Sequence, residues 1–290
     1  MPIVKPRRTA LRKAATRTCR SAGSKKSRKN RTTTSTKKTP TSELTFASLL
    51  TDSTTKLGND IWAWPLPAIA SCPGRSVLCE TICYADDGNF LRPNVIAALH
   101  KRWRFSKTRH FVSAMIQFIK KRKVRIVRIH TGGDLYSLRY IRRWIKIVRA
   151  CTDCVFFIYT RSWRVPQLLP AIRELGSLSN LRMWYSCDAE TGAPPKDLGV
   201  RRAWLSRYEG DWPSFPVDLV FRDETTPARK RAPAGELICP YENGFTKGLD
   251  CSKCGICWNT QRIAAKPQAE GSVVLLPILQ GPRCSIGASR

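Results

Sequence analysis

Apolar positions in the middle of the chain recur at two alternating periods. Phe111, Met115, Ile116 and Ile119 fall at i, i+4, i+5 and i+8, the stripe of a helix buried on one side. The stripe ends in the cation run Lys120 to Lys123, which suits the carbonyl end of a helix dipole. The short apolar run Val124 to Ile129 then reads as a strand, and Tyr140, Trp144 and Val148 mark the face of a second helix. The alternation continues through a strand Val155 to Tyr159, a helix Gln167 to Leu175, and strands at Arg182 to Cys187, Val217 to Phe221 and Ser272 to Leu276. Strands and helices that take turns in this way predict an α/β fold, either a partial (β/α) barrel or an open parallel sheet.

Polar residues gather where these apolar runs stop. The ends read His130-Thr-Gly-Gly-Asp134, Thr160-Arg161-Ser162, Ser186 then Asp188, and Arg222-Asp223-Glu224. Parallel α/β folds bind ligands at the carboxyl ends of their strands. Gly132 and Gly133 would let backbone approach a ligand closely, and Asp134 could accept a hydrogen bond from an ammonium or hydroxyl group. The plainer account is a tight strand-to-helix turn with Asp134 as its cap. Alternation along the strands puts Arg128 and His130 on one face of one strand, and Arg182, Trp184, Ser186 and Asp188 on one face of another. The expected pocket is therefore lined by Tyr84, His130, Arg161 and Asp188. His100 and His110 lie in helical stretches as packing or surface residues, and Trp62, Trp64, Trp103 and Trp144 sit among apolar neighbours as core.

Composition narrows the partners. The 290 residues are 42% hydrophobic, enough for a core, and no apolar run approaches the roughly 18 residues of a membrane span. Fifty-one Lys and Arg against 21 Asp and Glu leave +30, unlike an ordinary metabolic enzyme surface and suited to a polyanion. Residues 1–42 hold 14 of those cations and no acid, with almost no large apolar side chain after Leu11. Such a segment reads as a disordered arm that binds nucleic acid non-specifically through counterion release. Nothing resembles the apolar stretch of a secretion signal, so the protein is expected in the cytoplasm. The chain thus divides into the arm 1–42, an α/β core 43–235 and a cysteine-rich segment 236–290 packed on the core.

Twelve cysteines without a secretion signal are better suited to metal ligation than to disulfides. Cys251-x2-Cys254-x2-Cys257 places three thiols within seven residues, with Cys239, just before Pro240, as a natural fourth ligand. Closely repeated C-x2-C spacing favours an iron-sulfur centre over zinc, whose structural sites more often split into two knuckles. Cys72-x6-Cys79-x3-Cys83 forms an earlier group, folded by the turn at Pro73 and Gly74. Three ligands leave one coordination position open, as a reactive centre requires. Cys151 and Cys154, which lead into an apolar strand, are read as packing thiols.

Two resemblances rest on these residues. KLGNDIWAWPLPAIASCPG running into CETICYA, then RIHTGGDLYSLRYIRRW, YTRSW, and ICP with CSKCGICW, resemble the gene-product-88 family of bacteriophage and mobile-element proteins across about residues 56 to 260. That resemblance implies a phage protein working in the cytoplasm of a host cell and no particular activity. The order of parts is also similar to radical S-adenosylmethionine enzymes, with a three-cysteine loop, a Gly-Gly-acid turn, a partial barrel and an extra cysteine group. That similarity implies a 4Fe-4S cluster on Cys72, Cys79 and Cys83, and S-adenosylmethionine against Gly132, Gly133 and Asp134. The loop spacing departs from the usual C-x3-C-x2-C, and the acid is Asp where Glu is usual.

Three functions follow. The first is an iron-sulfur enzyme of radical type, with a second cluster on Cys239, Cys251, Cys254 and Cys257 and nucleic acid recruited by the arm. The second is a non-catalytic nucleic-acid-binding protein with structural zinc or iron-sulfur sites. The third, a structural protein of a virus particle, sits least well with clustered cysteines.

Overall fold

A computed structural model describes residues 49–52, 54–207, 211–222, 237–242 and 248–259. The expected arm, the expected strand Ser272 to Leu276, and Cys19 and Cys284 lie outside them. Six strands form one sheet: β1 (Ile61–Trp64), β2 (Ile126–Ile129), β3 (Val155–Thr160), β4 (Leu181–Cys187), β5 (Arg201–Ser206) and β6 (Leu219–Arg222). Every neighbouring pair is parallel, and the spatial order is the chain order. A doubly wound sheet reverses its order at a switch point. This one does not, so its six described strands follow the winding of a (β/α) barrel.

The crossovers carry α1 (Val77–Thr81), α2 (Pro93–Ser106) and α3 (Phe111–Lys121) before β2, then α4 (Leu138–Ala150) before β3 and α5 (Leu169–Gly176) before β4. Helix α4 begins at Ser137, whose hydroxyl accepts from the Tyr140 amide, and buries Tyr140, Ile141, Trp144, Ile145, Ile147 and Val148. These side chains and those of α3 and α5 pack on one sheet face, where Trp64, Val127, Ile129, Phe156, Ile158, Met183 and Tyr185 are buried. Cys151 and Cys154 belong to this core as packing thiols. Trp64 and Trp144 are fully buried in it, and Trp62 and Trp103 pack against its rim.

Among the described residues, the other face is covered by loops and one short helical turn. Ile61, Ala63, Ile126 and Phe157 meet Leu57, Cys251, Cys257 and Trp258, while Trp184, Ala203 and Leu219 meet Cys239 and Ile256. The cysteine-rich segment is thus the cover of the inner face, as far as it is described. Both sheet edges are blunted by isolated bridges, Thr51 to Ala63 beside β1 and Ile238 to Val220 beside β6. Strand β5 is absent from the sequence expectation, because its RRAWLS opens on two arginines and offers no continuous apolar run.

Candidate functional site

Cys72, Cys79 and Cys83 lie just beyond β1, half-buried, on the side where the other strands end. Their loop is fixed by hydrogen bonds to the ends of β3 and β4. Ser76 caps α1 by accepting from the Cys79 amide, and its hydroxyl donates to Asp188 at 2.6 Å. Arg161 donates to Ser76 at 2.8 Å, to Ser186 at 3.3 Å, and forms a buried ion pair with Asp188. Arg164 donates to the carbonyls of Gly74 and Arg75, and Glu190 accepts from the Leu78 amide. Gly74 is required here: a Cβ on it would stand 2.0 Å from the Arg161 carbonyl oxygen. Ile69, just ahead of Cys72, is held at φ 60°, a costly conformation for a β-branched residue.

The turn after β2 packs under this loop. Gly133 has φ 79°, and a Cβ there would meet the Ser71 hydroxyl at 2.4 Å and Leu66 at 2.5 Å. Gly132 lies 3.0 Å, as a Cβ, from that of Ala85, and its carbonyl accepts from the Leu66 amide. The two glycines therefore admit the cysteine loop itself. Asp134 is buried and accepts from its neighbour's amide at Leu135, from the Thr160 hydroxyl, and from the amides of Arg161 and Ser162. Burial pushes its carboxyl up, against those four donors. Tyr84 is exposed, and its hydroxyl donates to the Thr131 carbonyl, tying loop to turn.

His130 departs from the expected alternation. At φ 70° its backbone is left-handed, so its ring does not share a face with Arg128. It turns instead to the helical side, stacks on Tyr140 and meets that hydroxyl at 2.9 Å. Burial, aided by Arg128, lowers its pKa to about 3. Asp188, Ser186 and Arg161 do converge, as the strand-end rule predicts.

Burial pushes all three loop thiols up, and the charge of Asp134 adds to the effect at Cys72. Cys79 and Cys83 also raise Cys72, which makes the three electrostatic neighbours, while Arg161 pulls Cys79 and Cys83 down. Among the described residues no three Cys, His, Asp or Glu side chains are already drawn together tightly enough to hold a metal ion. The donor set has the chemistry of a thiolate centre, and the loop would have to tighten to chelate. A cation in it would reverse the upward shifts, since metal-bound thiols ionise.

On the inner face, Cys251–Cys254 form a short helical turn, α6, capped by Asp250 and ended by Gly255 at φ 74°. Amides of Cys251 and Ser252 donate to the carbonyls of Lys56 and Leu57. Trp184 donates to the Cys257 carbonyl and Trp258 to that of Cys251, both at 3.0 Å. The Cys239 amide donates to the Val220 carbonyl, and the Val220 amide donates to that of Leu237. Facing these thiols from the sheet are Tyr159 and the guanidinium of Arg128, 5.6 Å from the Tyr159 ring centre. Lys56 bonds Glu242 at 2.6 Å beside them. Burial drives Cys257 up to about 12, and Cys239 up as well. Neither Lys56 nor Glu242 stands out in the sequence, since both join the site from loops.

A shallow cavity of about 450 Å³, lined by Lys196, Arg202 and Asp218 among others, precedes β5 and β6 at the opposite ends of the strands. It holds none of the candidate chemistry. No helix among the described residues is long and apolar enough to cross a membrane.

Fold and site together define a sequentially wound α/β protein, six-stranded among the described residues, with cysteine groups at its mouth and on its inner face. The family profile described as gene product 88 matches residues 21–260, and the chain belongs to that family. It is 26% identical over 209 residues to the Gene 88 protein of Mycobacterium phage D29, covering 66% of this chain and 80% of that protein. It is 27% identical over 208 residues to the Gene 88 protein of Mycobacterium phage L5, with the same coverage. No solved structure matches the chain.

Proposed function

We propose that this phage-family protein is an iron-sulfur protein of radical S-adenosylmethionine type, acting on or near nucleic acid inside the host cell. The supporting observation is the loop of Cys72, Cys79 and Cys83 packed on the Gly132-Gly133-Asp134 turn and fastened to Arg161 and Asp188 past the strand ends of a sequential parallel sheet. In this reading Cys72, Cys79 and Cys83 would hold an iron-sulfur cluster, which would supply one-electron chemistry toward S-adenosylmethionine. Cys239, Cys251, Cys254 and Cys257 hold a second centre, opposite the positive charge of Arg128. Ser76, Arg161 and Asp188 position the loop, and the first 42 residues recruit nucleic acid by charge.

A second reading, a non-catalytic nucleic-acid binder with structural zinc or iron-sulfur sites, is favoured by one observation. The Asp134 carboxylate is taken up by four protein donors, and Gly132 and Gly133 by the loop packed on them. Anaerobic purification with iron, zinc and sulfide analysis separates the two. The enzyme reading expects a brown protein absorbing near about 400 nm, two iron centres, and cleavage of S-adenosylmethionine under reduction. Cys72→Ser, Cys79→Ser or Cys83→Ser should remove the iron of one centre and all cleavage. A colourless zinc protein, or an iron protein that neither binds nor cleaves S-adenosylmethionine, would overturn it in favour of the second reading.

A further inference from the structure

The charge of the chain is unevenly placed. Residues 92–152 hold 17 Lys and Arg against one acid, Asp134, which is buried. Outside that stretch and the first 42 residues, acids and cations balance at 20 each. The whole positive surplus of residues 43–290 therefore lies on the segment that makes α2, α3, β2 and α4.

Helix α4 shows how it is displayed. Its apolar side is buried against the sheet, and its other side exposes Arg139, Arg142, Lys146 and Arg149 at i, i+3, i+7 and i+10. At about 1.5 Å per residue this stripe runs about 15 Å. It continues at the far end, where Lys120 and Arg125 stand close enough to Cys151 and Cys154 to pull their thiols down against burial. Like charges a turn apart oppose helix formation, so the stripe costs stability. Its structural uses account for little of it: Arg149 pairs with Glu174 at 3.0 Å, and the inner neighbour Arg143 caps α2 through the Ser106 and Lys107 carbonyls.

We propose that the exposed α3–α4 layer is a docking surface for the phosphate backbone of nucleic acid, with the arm adding to it. The inference rests on the nucleic-acid reading above and gives it a place on the folded domain. A duplex carries one negative charge per about 1.7 Å of axis, so a 15 Å cation stripe meets more phosphate than it can neutralise. Contacts of this kind fix position without reading bases. An anionic membrane fits less well, because an interfacial helix must insert an apolar face, and that of α4 is spent on the core.

The test uses the full chain, a labelled duplex of about 25 base pairs, and salt between about 50 and 200 mM. One variant carries R122Q, R125Q, R139Q, R142Q and K146Q; a control of equal charge change carries R7Q, R8Q, K25Q, K26Q and R28Q. The helical variant should bind about a hundredfold more weakly near 100 mM salt, with a log-log salt slope shallower by about three. The control should lose much less, and the helical variant should melt no lower than the parent because like-charge repulsion is relieved. Equal losses in the two variants, or none in the helical one, would overturn the surface while leaving nucleic-acid binding standing. A parent that ignores DNA at 50 mM salt would end the nucleic-acid reading itself. If that parent bound phosphatidylserine vesicles through the same five residues, the surface would belong to a membrane.

Discussion

The two cysteine groups share one chemistry and are built in opposite ways. At the mouth, Cys72, Cys79 and Cys83 sit on a loop fastened by charged and hydroxyl groups: Ser76, Arg161, Asp188, Arg164 and Glu190. On the inner face, Cys239, Cys251 and Cys257 are held by apolar and aromatic packing, with backbone carbonyls taking the indole hydrogens of Trp184 and Trp258. Polar fastening is directional and fixes a loop in one geometry, whereas packing is tolerant of direction and excludes water. The first arrangement suits a centre that must meet a ligand, the second a centre that must only persist.

The largest expected effect is at the mouth. Arg161 and Asp188 are 6% and 0% exposed, and removing one partner strands the other charge in the interior. Asp188→Ala should therefore cost about 3–5 kcal/mol in urea unfolding, and a double change to Met and Leu should recover much of it. It should also free the loop, so that Cys79 reacts faster with iodoacetamide while Cys239 does not. Equal acceleration at both thiols would mean that the two groups share one anchor.

Next comes the packing of turn against loop. Gly133→Ala puts a side chain at φ 79° within 2.4 Å of Ser71, which should cost about 2–4 kcal/mol. The expected readout is a lower melting temperature with the inner-face thiols still protected. A Gly133→Ala protein as stable as the parent would show that loop and turn are not in contact.

Much of this arrangement is legible in the sequence, and the parts that are not share a cause. Strands β2, β3 and β4 are mostly apolar because both their faces are covered, each of β2 and β4 holding one arginine, and such runs are visible in sequence. The convergence of Arg161, Ser186 and Asp188 follows from parallel strands alone. Strand β5 hides because its inner face is polar at Arg201, and the partners of Asp134 hide because two of its four donors are main-chain amides of the turn after the next strand, 27 and 28 residues on. Period-two alternation places the His130 ring on the wrong face because it assumes extended backbone, and φ 70° ends it.

His130 supplies a smaller, pH-dependent effect. It is buried, and its Nδ1 has no hydrogen-bond partner, so protonation would bury a charge with a second unmet donor. Its folded pKa, near 3, lies below the unfolded value of about 6.5. Stability from the neutral ring is thus complete above about pH 6.5 and is lost as pH falls toward 3, by about 1.4 kcal/mol per unit. Between pH 6.5 and 5 the loss should be about 2 kcal/mol, and His130→Asn, which tolerates the left-handed backbone, should flatten that slope. An unchanged slope in the variant would place the acid sensitivity elsewhere.

The smallest effect tests the inner face with an ion pair of its own. Lys56 bonds Glu242 at 2.6 Å, but their side chains are 30% and 11% exposed, and the ammonium also rests near the rings of Tyr84, Phe221 and Tyr241. Solvent at the lysine screens the pair, and a methionine stem can keep most of the ring contact. Lys56→Met should therefore cost no more than about 1 kcal/mol, and raising salt from about 0.05 to 0.5 M should shrink even that. The cost of Asp188→Ala should hold over the same range, because no counterion reaches a fully buried carboxylate. If Lys56→Met cost as much as Asp188→Ala and ignored salt, both cysteine groups would be fastened by charge, and the division between a fixed mouth and a packed inner face would fail.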